Sequence, residues 1–234
     1  MPGYAGKKGD LMKAVPPFDD YVKGWSMLHG GYEPGRSRMV DMYLRMVYAI
    51  AKPFAAISTS PDLVTLLGLL VGVSVPVISE LQTPRMWIFA AVIVVASGVL
   101  DGVDGAVAVL SSKASRWGHV ADSLVDRLVE VAMLIALHRS GAPAWITLLA
   151  GVMTASQEYA RARAAGVGLT DITVVTVSER PTRIIATVMA FLAAAFMPHH
   201  SVFAVTVGAA IWAVLGTIGL MQMIVAVRRI LMQQ

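Results

Sequence analysis

The sequence predicts an all-α integral membrane protein with six transmembrane helices preceded by an N-terminal amphipathic interfacial helix. Three observations carry this expectation. The 234 residues are 56% hydrophobic and only 15% charged, against about 25% charged in an ordinary soluble domain. Six apolar segments come near the roughly 20 residues that a bilayer requires. Eight of the 19 Lys and Arg fall in the first 52 residues, before any long apolar run. With a mean hydropathy of +0.67, one helical membrane bundle is favoured over soluble domains.

The chain divides into three parts. Residues 1–36, rich in Gly, Pro and charge ("MPGYAGKKGD", "VPPFDD", "HGGYEPG"), are expected to form a loosely ordered cytosolic lead. Met1 to Asp20 holds no apolar core of the length that a cleavable signal needs. Residues 37–58 are expected to form the interfacial helix. Met39, Tyr43, Met46, Ile50 and Phe54 recur every three or four residues, with Arg38, Asp41, Arg45 and Lys52 between them. Such a helix lies flat on a membrane with its basic side at the headgroups; packing against a partner domain is the alternative. Residues 59–234 hold the spans, placed at 62–81, 86–110, 117–138, 143–164, 181–198 and 201–227. Polar residues interrupt the third and fourth.

Charge sets the orientation. Lys113, Arg116, Arg161, Arg163, Arg180 and Arg183 share one set of loops with both basic termini, and the opposite set holds Arg85 and Arg139. The positive-inside bias puts the first set, and both termini, in the cytosol. The expected location is the cytoplasmic (inner) membrane. A basic, amphipathic entry suits an anionic lipid surface rather than nucleic acid. The absence of Cys excludes disulfides and thiolate metal sites. Gly68 with Gly72, and Gly98 with Gly102, match close helix packing in lipid.

Against this background, "GVLDGVDGAVAVLSSKASRWGHVADSLVDRLVE", residues 98–130, is anomalous. An ionised carboxylate at a helix centre costs roughly 2.5 to 3.5 kcal/mol on insertion scales, and this stretch carries Asp101, Asp104, Asp122 and Asp126. The short connection from Ser111 to Trp117 makes the second and third spans an antiparallel hairpin, with Asp101 level with Asp126 and Asp104 with Asp122. Within each helix the separations are i,i+3 and i,i+4, so each pair shares a face. Asp104 falls about six residues, or ~9 Å, from the cytosolic helix end. Hard carboxylate oxygens without Cys point to Mg²⁺ or Mn²⁺, and several carboxylates could bridge two ions. Gly105, Ala108 and Gly118 leave a face without bulk where a large group can approach the backbone. A set of buried aspartates paired with arginines such as Arg127, or a cation pathway, are the alternatives.

The stretch resembles the signature of the CDP-alcohol phosphatidyltransferase family, D-x2-D-G-x2-A-R-x8-G-x3-D-x3-D. Asp101, Asp104, Gly105, Ala108, Gly118, Asp122 and Asp126 stand at the required intervals, and Val109 replaces the Arg after the alanine. "SPDLVT", residues 60–65, is similar to the T-P-N-x-V-T segment that opens the first span and helps hold the nucleotide, with Asp62 in place of the Asn. "YARARAAGVG" followed by "ERPTR" resembles the bacterial branch that makes phosphatidylinositol phosphate. The resemblance implies a homodimer that moves a phosphatidyl group from CDP-diacylglycerol to a polar alcohol and releases CMP. It implies that Asp101, Asp104 and Asp122 bind a first metal ion. Asp126 would then assist a second ion and take the alcohol proton as the catalytic base. Asp62, Thr65, Gly105, Ala108 and Gly118 would contact the donor. Lys113 and Arg116 either compensate for Val109 or are loop charges attracted to anionic lipid.

A phosphorylated acceptor, inositol phosphate first and glycerol phosphate second, requires cations, and Arg161, Arg163, Arg180 and Arg183 supply four with the forked geometry that phosphate favours. Arg180 ranks first, since Pro181 fixes the start of the fifth span. The positive-inside bias alone would also place arginines here. Two other classes stand beside the enzyme. A divalent-cation transporter would need a polar path beyond Glu130, where the chain reads "VAMLIAL". A catalytically silent nucleotide-lipid binder would be marked by Val109.

Overall fold

The computed structural model describes residues 15–28, 30–169 and 175–233; the first fourteen residues of the expected lead lie outside them. Among the described residues all regular structure is helical. The α-helices are α1 (Phe18–Leu28), α2 (Arg38–Ala56), α3 (Pro61–Ser79), α4 (Pro84–Leu110), α5 (Arg116–Arg139), α6 (Ala144–Gly166), α7 (Arg180–Phe196) and α8 (Ser201–Leu231). Helix starts follow local chemistry. Pro61 and Pro84 open α3 and α4, where a missing N–H costs nothing, and the Ser37 hydroxyl accepts from the Val40 amide at the start of α2. Between α5 and α6, Gly141 adopts φ +117° and the Ala142 amide donates back to the Leu137 carbonyl at 3.0 Å, a left-handed exit that favours glycine.

Among the described residues, three helical segments are long and apolar enough to cross a membrane: Pro61–Ser79, Pro84–Leu110 and Pro198–Leu231. The other expected spans coincide with α5, α6 and α7 but differ in character. Charged side chains interrupt α5 and α6, and α7 has only 17 residues.

The chain forms two compact units. The first comprises Met1–Leu66 and Val99–Asp122. Its core gathers Tyr21, Leu44, Val47, Ala51, Val64, Val103 and Val107. The lead, expected to be loosely ordered, carries α1 instead. Phe18, Tyr21, Val22 and Trp25 repeat at helical spacing, and the Phe18 and Tyr21 rings lie 5.4 and 5.6 Å from that of Tyr48. Helix α2 presents two apolar stripes. Leu44, Val47, Ala51 and Ala55 are buried, whereas Met39, Met42, Tyr43, Met46 and Ile50 are exposed. The periodic stripe read from the sequence is therefore mainly the outward one. At Gly102 an added Cβ would collide with the Tyr43 hydroxyl, so α2 runs close to α4 there.

The second unit comprises Leu67–Gly98 and Ser123–Gln234. Its core contains Trp87, Val94, Met133, Leu137, Phe191, Val205 and Trp212. The Trp212 indole N–H donates to Thr154 Oγ1 at 3.0 Å, which satisfies the only polar atom of a buried aromatic. Small residues let the helices close, as expected for Gly72 and Gly98: a Cβ on Gly72 would come 2.7 Å from Val129 Cγ2, and one on Gly98 2.7 Å from Ile184 Cδ1. At Gly208 an added Cβ would collide with Ala190 Cβ and lie 3.3 Å from the Ala186 carbonyl. Neither neighbour can rotate away. Gly208→Ala should therefore cost about 1–3 kcal/mol by overpacking, whereas Gly166→Ala, with open space around it, should leave the thermal unfolding midpoint in detergent unchanged.

Candidate active site

Within the first unit, α4 delivers Asp101 and Asp104 and the start of α5 delivers Asp122. Asp101 and Asp122 each offer a carboxylate oxygen, and the two lie within 4.8 Å of each other. Asp126 follows Asp122 by one turn of the unbroken helix α5, and its oxygen lies within the same distance of Asp122. Asp101 and Asp122, both partly buried, could share a metal ion within this unit. Asp104 is not part of that pair. It is buried, and its Oδ2 lies 2.5 Å from the Thr65 hydroxyl. That hydroxyl is also 3.1 Å from the Pro61 carbonyl, so its single proton serves one acceptor at a time. Thr65, expected at the donor, thus also anchors a motif aspartate.

The remaining expected donor residues occupy distinct settings. Asp62 is exposed in the first turn of α3. Gly105 faces open space, with no atom within 4 Å of an added Cβ. The Gly118 amide donates to Ser115 Oγ at 2.9 Å and so helps start α5. Lys113 Nζ donates to the Ser58 carbonyl at 2.9 Å, which ties the α4–α5 turn to the end of α2.

Val109, where the motif has Arg, packs with the core of the first unit. A Cβ on Gly24 of α1 would come 2.8 Å from Val109 Cγ1. The space beside this position is filled by α1. Val109→Arg should consequently displace α1 and lose about 1–3 kcal/mol through overpacking rather than raise turnover. Paired measurements of unfolding and CMP release would check this, and a faster, equally stable variant would contradict it.

In the second unit, charged residues of α5, α6 and α7 form an alternating chain. Arg180 pairs with Asp126. Arg127 lies 3.7 Å from Asp126, 2.9 Å from Glu130 and 3.5 Å from Glu158. Arg183 donates to Glu130 at 2.7 Å and to Glu158 at 3.1 Å. Arg161 reaches Glu158 at 3.6 Å and Glu179 at 2.8 Å. Burial pushes the Glu179 carboxyl up, but the Thr176 amide and the Arg161 hydrogen bond and charge outweigh it and hold the group below the usual carboxylate range. Gln157 donates to Thr176 Oγ1 at 2.9 Å and braces the same turn.

The four expected acceptor arginines therefore separate. Arg183 is enclosed, with 2% of its side chain exposed between two glutamates. Arg161 and Arg180 are partly open, and Arg163 is exposed on the last turn of α6. Pro181 stands at the start of α7, as expected. Glu158, Glu179 and Thr176 did not emerge from the sequence reading. The i,i+3 spacing of Glu158 with Arg161 and of Arg127 with Glu130 was the available sign, but the pairing among three helices depends on their rotation.

Comparison with known proteins bears on this geometry. Residues 58–227 match the model of the CDP-alcohol phosphatidyltransferase family. An archaetidylinositol phosphate synthase of Pyrococcus horikoshii is 32% identical over 146 residues, covering 61% of this chain and 74% of that protein. One of Methanothermobacter thermautotrophicus is 30% identical over 152 residues, covering 63% and 74%. Among solved structures, Mycobacterium tuberculosis phosphatidylinositol phosphate synthase with CDP-DAG bound has a TM-score of 0.65 and 26% identity, covering 78% of this chain and 94% of that one. The same enzyme in complex with manganese and citrate gives the same score and identity, covering 78% and 88%.

Proposed function

The chain belongs to the CDP-alcohol phosphatidyltransferase family, and we propose that it transfers a phosphatidyl group from CDP-diacylglycerol to inositol phosphate with release of CMP. The observation that carries this reading is that one residue belongs to both charged groups: Asp126 completes the acidic set on α5 and is ion-paired with Arg180 at the start of α7. A carboxylate suited to receive a proton thus sits beside a guanidinium suited to grip a phosphate. The relatives named for inositol phosphate products support the same acceptor.

The donor set of partly buried carboxylate oxygens, without a thiolate, fits a hard divalent ion. On the family motif Asp101, Asp104 and Asp122 would hold it, with Asp126 assisting a second ion; Mg²⁺ and Mn²⁺ are the candidates, and a relative binds manganese. Bound there, the ion would screen the negative charge of the diphosphate. The residues of the chain do the rest. Arg161 and Arg180 neutralise the acceptor phosphate and hold its hydroxyl in place. Asp126 takes the hydroxyl proton as the new phosphate ester bond forms and the phosphoanhydride bond to CMP breaks. Gly105 leaves room for the nucleotide to approach α4.

In a membrane, α3 to α8 would be the six spans, α2 would lie at the cytosolic surface on its exposed Met and Ile stripe, and the site would open to the cytosol of an inner membrane. Even α7, at 17 residues, reaches ~26 Å at 1.5 Å per residue, close to the ~30 Å hydrocarbon core. The family resemblance favours a homodimer.

The deciding experiment incubates the protein in lipid with labelled CDP-diacylglycerol, Mg²⁺ or Mn²⁺, and a panel of inositol phosphate, glycerol phosphate, inositol and serine, and identifies the lipid by mass. The expected product is phosphatidylinositol phosphate. Equal use of unphosphorylated inositol would remove the role given to the arginines, and absence of CMP with every acceptor would defeat the transferase reading.

A further inference from the structure

A groove of about 350 Å³ lies between α6 and α8, walled by Ala160, Ile224, Val227, Leu231 and Met232, with Arg228 as its charged member. The volume is within the range of small-molecule sites, which pair apolar walls with a few polar groups. We propose that this groove binds an anionic membrane phospholipid, with an acyl chain along Ile224, Val227 and Leu231 and the headgroup phosphate on Arg228. This site is separate from the transfer reaction and does not rest on the identity of the acceptor.

The position and the charge both select this occupant. Helix α8 is long and apolar enough to cross a bilayer, and Arg228 and Arg229 lie in its last turn. The groove therefore sits where an apolar helix ends and headgroups begin, the place where basic pockets between helices recognise anionic lipid. Residues 201–234 contain no Asp or Glu. Among the described residues neither Arg228 nor Arg229 has an ion pair, and neither does exposed Arg163, three residues beyond Ala160 on α6. Among the described residues no carboxylate matches these guanidiniums, and an anion from outside the chain would. A neutral lipid leaves these guanidiniums unmatched, and free phosphate leaves the apolar walls bare. A second copy docked on the same groove about a two-fold axis would bring its own arginines against these. The positive-inside bias accounts for arginines at this helix end but not for the apolar groove beside them.

The test uses the delipidated full chain in detergent, offered phosphatidylglycerol and phosphatidylcholine with identical acyl chains, with bound lipid counted by native mass spectrometry. The wild type should hold one phosphatidylglycerol per chain with at least a tenfold preference over phosphatidylcholine. Arg228→Gln combined with Arg229→Gln should bring the preference to within twofold. Arg228→Lys with Arg229→Lys, keeping the charge at the same exposed helix end, should retain it. Val227→Trp should reduce occupancy by both lipids by filling the groove. An unchanged preference in the double Gln variant, or no preference in the wild type, overturns the proposal. So does a Val227→Trp protein that keeps its lipid but falls from dimer to monomer, which would make a second copy the occupant.

Discussion

Asp122→Ala is expected to reduce CMP release by about a thousandfold or more while leaving the helical content and unfolding midpoint close to wild type. A divalent ion stabilises the developing phosphate charge by several kcal/mol, and each 1.36 kcal/mol is tenfold in rate. Asp122 lies close to Asp101 within the first unit and precedes Asp126 by one turn of α5. Its removal therefore takes away a carboxylate that neighbours another motif aspartate on either side. Manganese binding, followed by electron paramagnetic resonance, should weaken in parallel. Asp104→Asn offers the contrast. Its carboxylate is committed to Thr65, so the variant should lose less metal affinity than Asp122→Ala. A variant of Asp122 that turns over normally, or binds manganese as well as the wild type, contradicts the assignment.

Glu130→Ala is expected to give the largest loss of stability, about 3–5 kcal/mol, because it leaves a buried guanidinium without its nearest countercharge. Arg183 and Glu130 have 2% and 4% of their side chains exposed, at 2.7 Å. Withdrawing two ions from water carries a high desolvation cost, and their attraction recovers it only while both remain. The double variant Glu130→Leu with Arg183→Met removes both ions and should regain most of the loss. Its thermal midpoint should stand well above that of either single variant. Glu158 remains near Arg127 and Arg161 in that variant, so a stable and active protein would locate the pair's contribution in structure and not in the chemistry, whereas a stable but weakly active one would give the pair a part in the chemistry. If the single variant unfolds like the wild type, the pair is not the keystone of α5 and α7.

The periodicities that reveal helices also reveal which residues share a helix face, and this explains what could be read in advance. Six apolar runs became α3 to α8 within a few residues at each end, because hydropathy reports length directly. The spacing of Asp101, Asp104, Asp122 and Asp126 follows the turn of the helix, which made the nearness of Asp101 and Asp122 legible but not the turn of Asp104 toward Thr65. Helix α1 was hidden because Pro16, Pro17, Asp19 and Asp20 obscure the short aromatic repeat from Phe18 to Trp25. The separate fates of Arg180 and Arg183 were also hidden. Three residues apart on α7, one meets Asp126 and the other is enclosed by Glu130 and Glu158. That difference arises from the rotation of α7 against α5 and α6, which spacing along one chain does not encode. The position of Thr65 beside Asp104 was legible only as a motif, since the contact joins two distant stretches of sequence.

The alternating chain has a consequence for how substrate is found. Glu179, Arg161, Glu158, Arg183, Glu130, Arg127, Asp126 and Arg180 contribute four charges of each sign. Opposite charges interleaved at these distances cancel within a few ångströms, so the set projects almost no far field, and beyond a Debye length of about 8 Å in physiological salt even a residue would be screened. It can grip an anion that has arrived but cannot call one in from solution. Long-range guidance of a phosphorylated molecule then falls to cations that have no ion pair among the described residues, such as Arg163 and Arg228, and their neutralisation should lower the capture rate without loosening the final hold.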